Sequence, residues 1–198
     1  MKAGVLFSGG KDSSLAAVLL SRDYTVELNT FVFSPGRSLP AVAEAARALG
    51  HPWHLWIFEE GLLSRAVDMI LSSGYPNDAI QMVHKSALRA LGTRYRVIAD
   101  GTRFDDRVPM LSRDEVQSLQ DTLRCSYLRP LLGFPRREVD RLAGKHLRIA
   151  RGETGNLQNG DYEAEIREEF RARGKDTGKY FPARHEQSLV IGTITTTG

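Results

Sequence analysis

Residues Ser8, Gly9, Gly10, Lys11, Asp12, Ser13 and Ser14 put two glycines, three hydroxyls, an ammonium and a carboxylate into seven positions. They follow an apolar run at 3–7 and precede a stretch of helix formers. A glycine pair at such a junction lets the backbone turn tightly and approach a ligand closely. The helix behind it aims unpaired N–H groups and the positive end of its dipole at the turn. Ser8, Ser13 and Ser14 add hydroxyl donors, and Lys11 adds a cation. The spacing therefore predicts a phosphate cradle. A Walker A loop needs Ser or Thr after its lysine, where this chain has Asp12, and a dinucleotide fingerprint needs three spaced glycines. The alternative is a plain glycine turn with Ser13 capping a helix.

The elements that would position the loop are legible in the periodicity. Apolar or β-branched runs at 3–7, 26–33, 52–58 and 95–100 predict strands. Helical patterns at 13–22, 39–50, 62–74 and 77–92 lie between and around them, with Asn77 and Asp78 as expected caps of the last. This alternation predicts an α/β fold, a doubly wound parallel sheet with helices on both faces. Ligands of such sheets bind beyond the carboxyl ends of the strands. Two of those ends carry unusual chemistry, 8–14 and the Asp100–Asp106 segment DGTRFDD. Farther on, 112–123 predicts a helix with a Ser112/Glu115 capping box. An extended piece at 127–134, a helix at 135–145, a loop at 151–161 and a helix from Tyr162 follow. Tyr162, Ile166 and Phe170 form that helix's apolar stripe, and Glu163–Arg167 and Glu169–Arg173 are expected ion pairs.

Ser8-Gly9-Gly10-Lys11-Asp12-Ser13 spells S-G-G-x-D-S after the first strand and before the first helix. It resembles the PP-loop of the N-type ATP pyrophosphatases, a superfamily that includes NAD, GMP and asparagine synthetases and the tRNA thiolation and lysidine enzymes. The resemblance implies an adenine nucleotide alpha hydrolase-like, Rossmann-like domain at 1–148, with a small, basic, partly helical C-terminal extension at 149–198. It implies that ATP is cut to AMP and pyrophosphate and that AMP is joined to a substrate oxygen. Lys11 and Asp12 become catalytic candidates, and Ser8, Gly9, Gly10, Lys11, Asp12, Ser13 and Ser14 hold the nucleotide. Gly101 and Thr102 would approach the ribose or α-phosphate. Phe33 and Ser34, at the second strand end, would meet the adenine, although Phe33 reads equally as core. Mg2+ would stand between the phosphates and Asp12, Asp105 and Asp106.

Arg129-Pro130-Leu131-Leu132, with Glu138 beyond it, is similar to a segment of the tRNA-modifying branch. Cys125, the one cysteine, suits either a persulfide carrier or a small core residue. A single cysteine excludes an internal disulfide and fits a reducing cytoplasm. Arg184 and His185 lie in a polar loop where a late basic residue could close over phosphates. The net charge is only +3, but 124–184 holds fourteen Lys/Arg against nine Asp/Glu. That surplus suits tRNA as a partner or simply a solvated surface. The short apolar start predicts no signal peptide and no membrane span. A homo-oligomer and a separate sulfur or ammonia donor protein are expected partners. Two alternatives stay open: a small-molecule ligase of the NAD or asparagine synthetase type, and a non-catalytic adenine-nucleotide sensor.

Overall fold

The structure, a computed structural model, describes residues 1–153, 157–181 and 186–194. Five strands form one sheet in the order β3-β2-β1-β4-β5, all pairs parallel. They are β1 (Lys2–Leu6), β2 (Thr25–Val32), β3 (Trp53–Ile57), β4 (Val97–Ala99) and β5 (Ser126–Leu128). The helices are α1 (Lys11–Leu20), α2 (Pro40–Leu49), α3 (Leu62–Ser73), α4 (Asn77–Arg94), α5 (Arg113–Leu123), α6 (Arg136–His146) and α7 (Tyr162–Ala172). The doubly wound expectation holds. The chain runs outward from β1 to β3, then returns to place β4 on the other side of β1. The topological switch point therefore lies between β1 and β4, where this architecture opens a crevice.

Two apolar clusters cover the two faces. One packs Val67, Ile70, Val83, Leu88 and Leu91 of α3 and α4 with Ile166 and Phe170 of α7. The other packs Leu15, Ala16 and Ala17 of α1 with Val42 of α2 and Val139 of α6. The small residues of α1 allow it close against the sheet. The α7 stripe behaves as its spacing predicted, with Ile166 and Phe170 fully buried. Both expected ion pairs of α7 form, Arg173 Nε lying 2.8 Å from Glu169 Oε1 and Arg167 pairing with Glu163.

Local differences have local causes. Helix α1 begins at Lys11, not 13, because Gly10 serves as its N-cap. Pro76 caps α4, and neither Asn77 nor Asp78 supplies a side-chain cap bond. The Ser112/Glu115 capping box is present. The expected loop at 151–161 begins later than predicted: α6 passes directly into β6 (Leu147–Glu153), which takes in 151–153 and pairs antiparallel with β7 (Glu186–Thr193). No glycine or proline marks that junction, and the charges of Arg148 and Arg151 hide the strand period.

The C-terminal elements fold back onto the sheet's carboxyl edge. Gly160 N–H donates to Ser8 O at 2.8 Å and Val190 N–H to Gly9 O at 2.8 Å. No helix among the described residues is long and apolar enough to cross a membrane.

Candidate nucleotide site

The 8–14 segment sits at the switch point. Phe7 N–H still bonds Asn29 O at 2.8 Å, extending the β1 pairing, and the chain then turns. Gly9 takes φ +79°, the left-handed region that a side chain resists. The turn is braced internally: Ser13 Oγ accepts from Ser8 N–H at 3.3 Å and donates to Gly10 O at 3.2 Å. Gly10 N–H donates to Ser8 Oγ at 3.3 Å, and Lys11 N–H to Ser188 Oγ of β7 at 3.0 Å. The first turn of α1 thus faces a pocket whose far wall is C-terminal.

The segment after β4 closes against it. A Cβ on Gly101 would fall 2.7 Å from Asp12 C and Ser13 N, so only glycine lets the two loops touch. Between them is a cavity of about 160 Å3 lined by Ser8, Asp12, Ser13, Asp100, Gly101 and Thr102 among others. A larger, polar cavity of about 620 Å3 adjoins it, bordered by Gly10, Lys11, Asp12, Arg103, Asp106 and Arg136 and reaching β7. The two share Ser8, Asp12, Ser13, Asp106 and Pro109 as walls and together make the recess, with Arg136 and Arg151 bordering its larger part.

Charge in the recess is neutralised by close pairs. Lys11 is buried, its Nζ lying 2.7 Å from Asp12 Oδ1 and 3.4 Å from Asp140 Oδ1. Arg103 bonds Asp106 at 2.5 Å and reaches within 3.5 Å of Asp12 Oδ2. Burial opposes the Arg103 charge, but the bond to Asp106 and the fields of Asp12, Asp106 and Asp105 outweigh it and raise its pKa. An arriving polyphosphate would exchange these carboxylates for phosphate oxygens, the geometry for which guanidinium is suited.

Several expected site residues stand elsewhere. Ser14 lies fully buried on α1, its Oγ without a hydrogen-bond partner among the described residues, and it lines neither cavity. Asp105 turns away: its Oδ2 accepts Arg136 N–H at 2.9 Å at the start of α6, a bond that holds its carboxyl below the ordinary range. Asp12 and Asp106 alone of the three acids line the recess. No group of three or more His, Cys, Asp or Glu among the described residues is arranged to hold a metal by itself.

The backbone donors at the β2 end are already taken. Glu165 of α7 accepts from Phe33 N–H at 3.0 Å and Ser34 N–H at 3.0 Å, and the Phe33 ring packs on Phe58 at 4.7 Å. Cys125 precedes β5 at the amino end of the sheet, opposite the recess. It is buried beneath α4 and α5, and burial pushes its thiol pKa up, away from the reactive thiolate. Arg129 braces rather than binds, its guanidinium donating to Leu111 O at 3.1 Å. Glu138 pairs with Arg141 on the surface. Arg184 and His185 lie outside the described residues.

Sequence reasoning missed Arg103, Ser188, Gly160, Tyr162 and the pair Asp100–His84, all at or beside the recess. Asp100 and Arg103 carried a signal, since both fall in the segment after β4. The others come from elements whose proximity to the loop only the fold reveals.

The sequence matches the model of DUF7411, a family of unknown function, over residues 1–192. The "Uncharacterized protein MJ0690" of Methanocaldococcus jannaschii is 42% identical over 193 residues, spanning 97% of this chain and 96% of its own. A crystal structure from the same organism, described as a predicted subunit of tRNA methyltransferase, superposes with a TM-score of 0.90. It is 40% identical and covers 98% of this chain and 99% of its own. The glutamine-dependent NAD+ synthetase of Acinetobacter baumannii, solved with ADP, overlaps 73% of this chain and 28% of its own. At 18% identity and a TM-score of 0.40, that likeness carries no inference. The matched family model and the high identity over nearly the whole length of both chains agree: the chain belongs to the DUF7411 family.

Proposed function

We propose that this protein is a PP-loop enzyme that binds ATP in the recess and cleaves it to AMP and pyrophosphate. The observation that carries this reading is the contact between the Ser8–Ser13 turn and Gly101, which opens the N-terminus of α1 onto a polar cavity at the β1/β4 switch point. The turn and Lys11 hold the leaving pyrophosphate, while Arg103 and Arg136 border its exit. A substrate carbonyl oxygen bonds the α-phosphorus as the bond to pyrophosphate breaks. A nitrogen or sulfur nucleophile then bonds the activated carbon, and AMP leaves with the bonding pair.

Asp12 and Asp106 would hold Mg2+, which commonly takes one or two carboxylates together with substrate phosphates. The ion, when bound, neutralises charge on the phosphate oxygens. The substrate we infer is a tRNA base. Its support is the basic surplus of 124–184 and the strong similarity to a structure described as a predicted tRNA methyltransferase subunit. With Cys125 remote from the recess, the sulfur or ammonia would come from a separate donor.

The test is pyrophosphate release from ATP, screened first with unmodified tRNA and then with small carboxylates and amides. RNA-dependent release, abolished by Asp12→Ala, is expected. Release with a small acid alone would replace the tRNA assignment. One observation favours a second reading, nucleotide binding without cleavage: Lys11, Phe33 and Ser34 already give their N–H groups to Ser188 and Glu165. ATP binding with no release under any condition would select it.

A further inference from the structure

A buried carboxylate–histidine pair borders the same recess and has no role in the reading above. Asp100, at the end of β4, is 3% exposed. Its Oδ1 accepts Thr102 N–H at 3.0 Å; its Oδ2 accepts the Tyr127 hydroxyl at 2.5 Å and lies 2.7 Å from His84 Nε2. Burial alone would raise this carboxyl's pKa. The bond and charge of His84, the Tyr127 hydroxyl and the Thr102 amide together outweigh burial and lower it. An ionised carboxylate only accepts, so His84 carries its proton on Nε2. Its Nδ1 makes no hydrogen bond among the described residues.

His84 of helix α4 lines the smaller cavity, as do Ser8, Asp12, Ser13 and Tyr162. The other titratable groups around it are few. Tyr162 of α7 has its ring 6.3 Å away, Asp161 acts electrostatically on Tyr162, and Asp12 and Asp106 line the same cavity. Lys85, next on α4, turns to Glu115 of α5 at 2.6 Å. On α3, Arg65 pairs with Glu59 and Asp68 with Arg173.

From this juxtaposition we propose that His84 is the proton-exchanging residue of the site: it takes up a proton as a phosphate ester enters the cavity and donates Nδ1–H to a phosphate oxygen, with Asp100 as its positioning residue. The inference rests on the recess being a phosphate-ester site. An anion a few ångströms from imidazole favours the imidazolium, and a confined cavity strengthens that coupling. Asp100 holds the opposite edge of the ring, through Nε2. A histidine so placed puts a donor where phosphate charge develops during cleavage.

The experiment is calorimetric titration with AMP near pH 7.5, in two buffers of different ionisation enthalpy. The difference in heat counts the protons taken up. Wild type is expected to take up a fraction of a proton beyond what His84→Gln takes up, and the variant to bind AMP at least tenfold more weakly. AMP's own phosphate contributes equally to both proteins and cancels. Equal uptake and equal affinity in the two proteins would overturn the inference and leave the nucleotide reading standing. No AMP binding by wild type would overturn both. The unmodified protein gives a second check. Long-range nitrogen NMR should show His84 with its proton on Nε2 and its Nδ1 resonance moved by AMP. An Nδ1–H tautomer, or an unmoved Nδ1 resonance with AMP bound, would overturn the proposal.

Discussion

Among the described residues two buried carboxylates each gather a tyrosine and a histidine, one toward each end of the same sheet. At the amino end, Glu27 accepts the Tyr95 hydroxyl at 2.8 Å, pairs with Lys2 at 2.6 Å and lies 3.3 Å from His54 Nε2. At the carboxyl end, Asp100 gathers Tyr127, His84 and Thr102. The residue types nearly match, but the surroundings do not. Glu27 has a lysine to balance its charge, Lys2 and His54 reach solvent, and it lines neither cavity of the recess. Among the described residues Asp100 has no lysine or arginine bonded to it, and with His84 it lines the cavity beside the glycine turn. A constellation of reactive side chains is therefore not a site in itself. Its place relative to the strand ends decides whether it can meet a ligand.

The largest expected contrast is thermodynamic. Asp100→Ala leaves His84 and Tyr127 without their buried acceptor, at about 1–3 kcal/mol for each donor left unpaired. Glu27→Ala should cost about 1–3 kcal/mol, because Lys2 and His54 can turn to water. Urea unfolding measures both, and an equal loss would erase the distinction.

Gly101→Ala acts on the recess alone. A Cβ 2.7 Å from the Asp12 and Ser13 backbone must push the two loops apart. Overpacking of that kind costs about 1–3 kcal/mol. ATP affinity, measured by calorimetry, should fall at least tenfold; an unchanged affinity would detach this contact from binding.

Acid sharpens the comparison further. Both carboxyls lie below their ordinary values of 3.8 for Asp100 and 4.5 for Glu27. For Glu27 the Lys2 hydrogen bond is the main cause. A depressed folded pKa stabilises at neutral pH, and that stability is lost as pH falls below the unfolded value and through the folded one. Each of Asp100→Asn and Glu27→Gln should therefore flatten the acid limb of the stability curve. Denaturant midpoints between pH 6 and pH 2 give the slopes.

Cys125→Ala should have the smallest effect. It removes a buried thiol at the amino end, for about 1 kcal/mol, and leaves pyrophosphate release unchanged. A lost activity would bring the amino end into the chemistry.

Most of the fold, and half of the recess, could be read from local pattern. The run at 3–7 followed by Ser8–Ser14 announced a strand, a turn and a helix start, because glycines and hydroxyls act within a few residues. Gly101 could be found at a strand end but not explained, since its constraint comes from Asp12 across the sheet. His84 sits in an ordinary amphipathic helix, and nothing within α4 distinguishes it. The β6–β7 pair escaped because its register is set by contact with the loop, through Ser188 and Val190, rather than by its own alternation. Asp105 and Phe33 are of residue types that suit the site, and the fold gives them partners that no local pattern shows: Asp105 accepts from Arg136 N–H and Phe33 N–H donates to Glu165.

The most direct test of the central claim is a crystal structure with the non-cleavable α,β-methylene analogue of ATP and Mg2+. The account predicts its β- and γ-phosphates against the Ser8–Ser13 turn and the N-terminus of α1, with Arg103 freed from Asp106 or Asp12 to meet them. A turn left bare, with the analogue bound elsewhere or not at all, would contradict it.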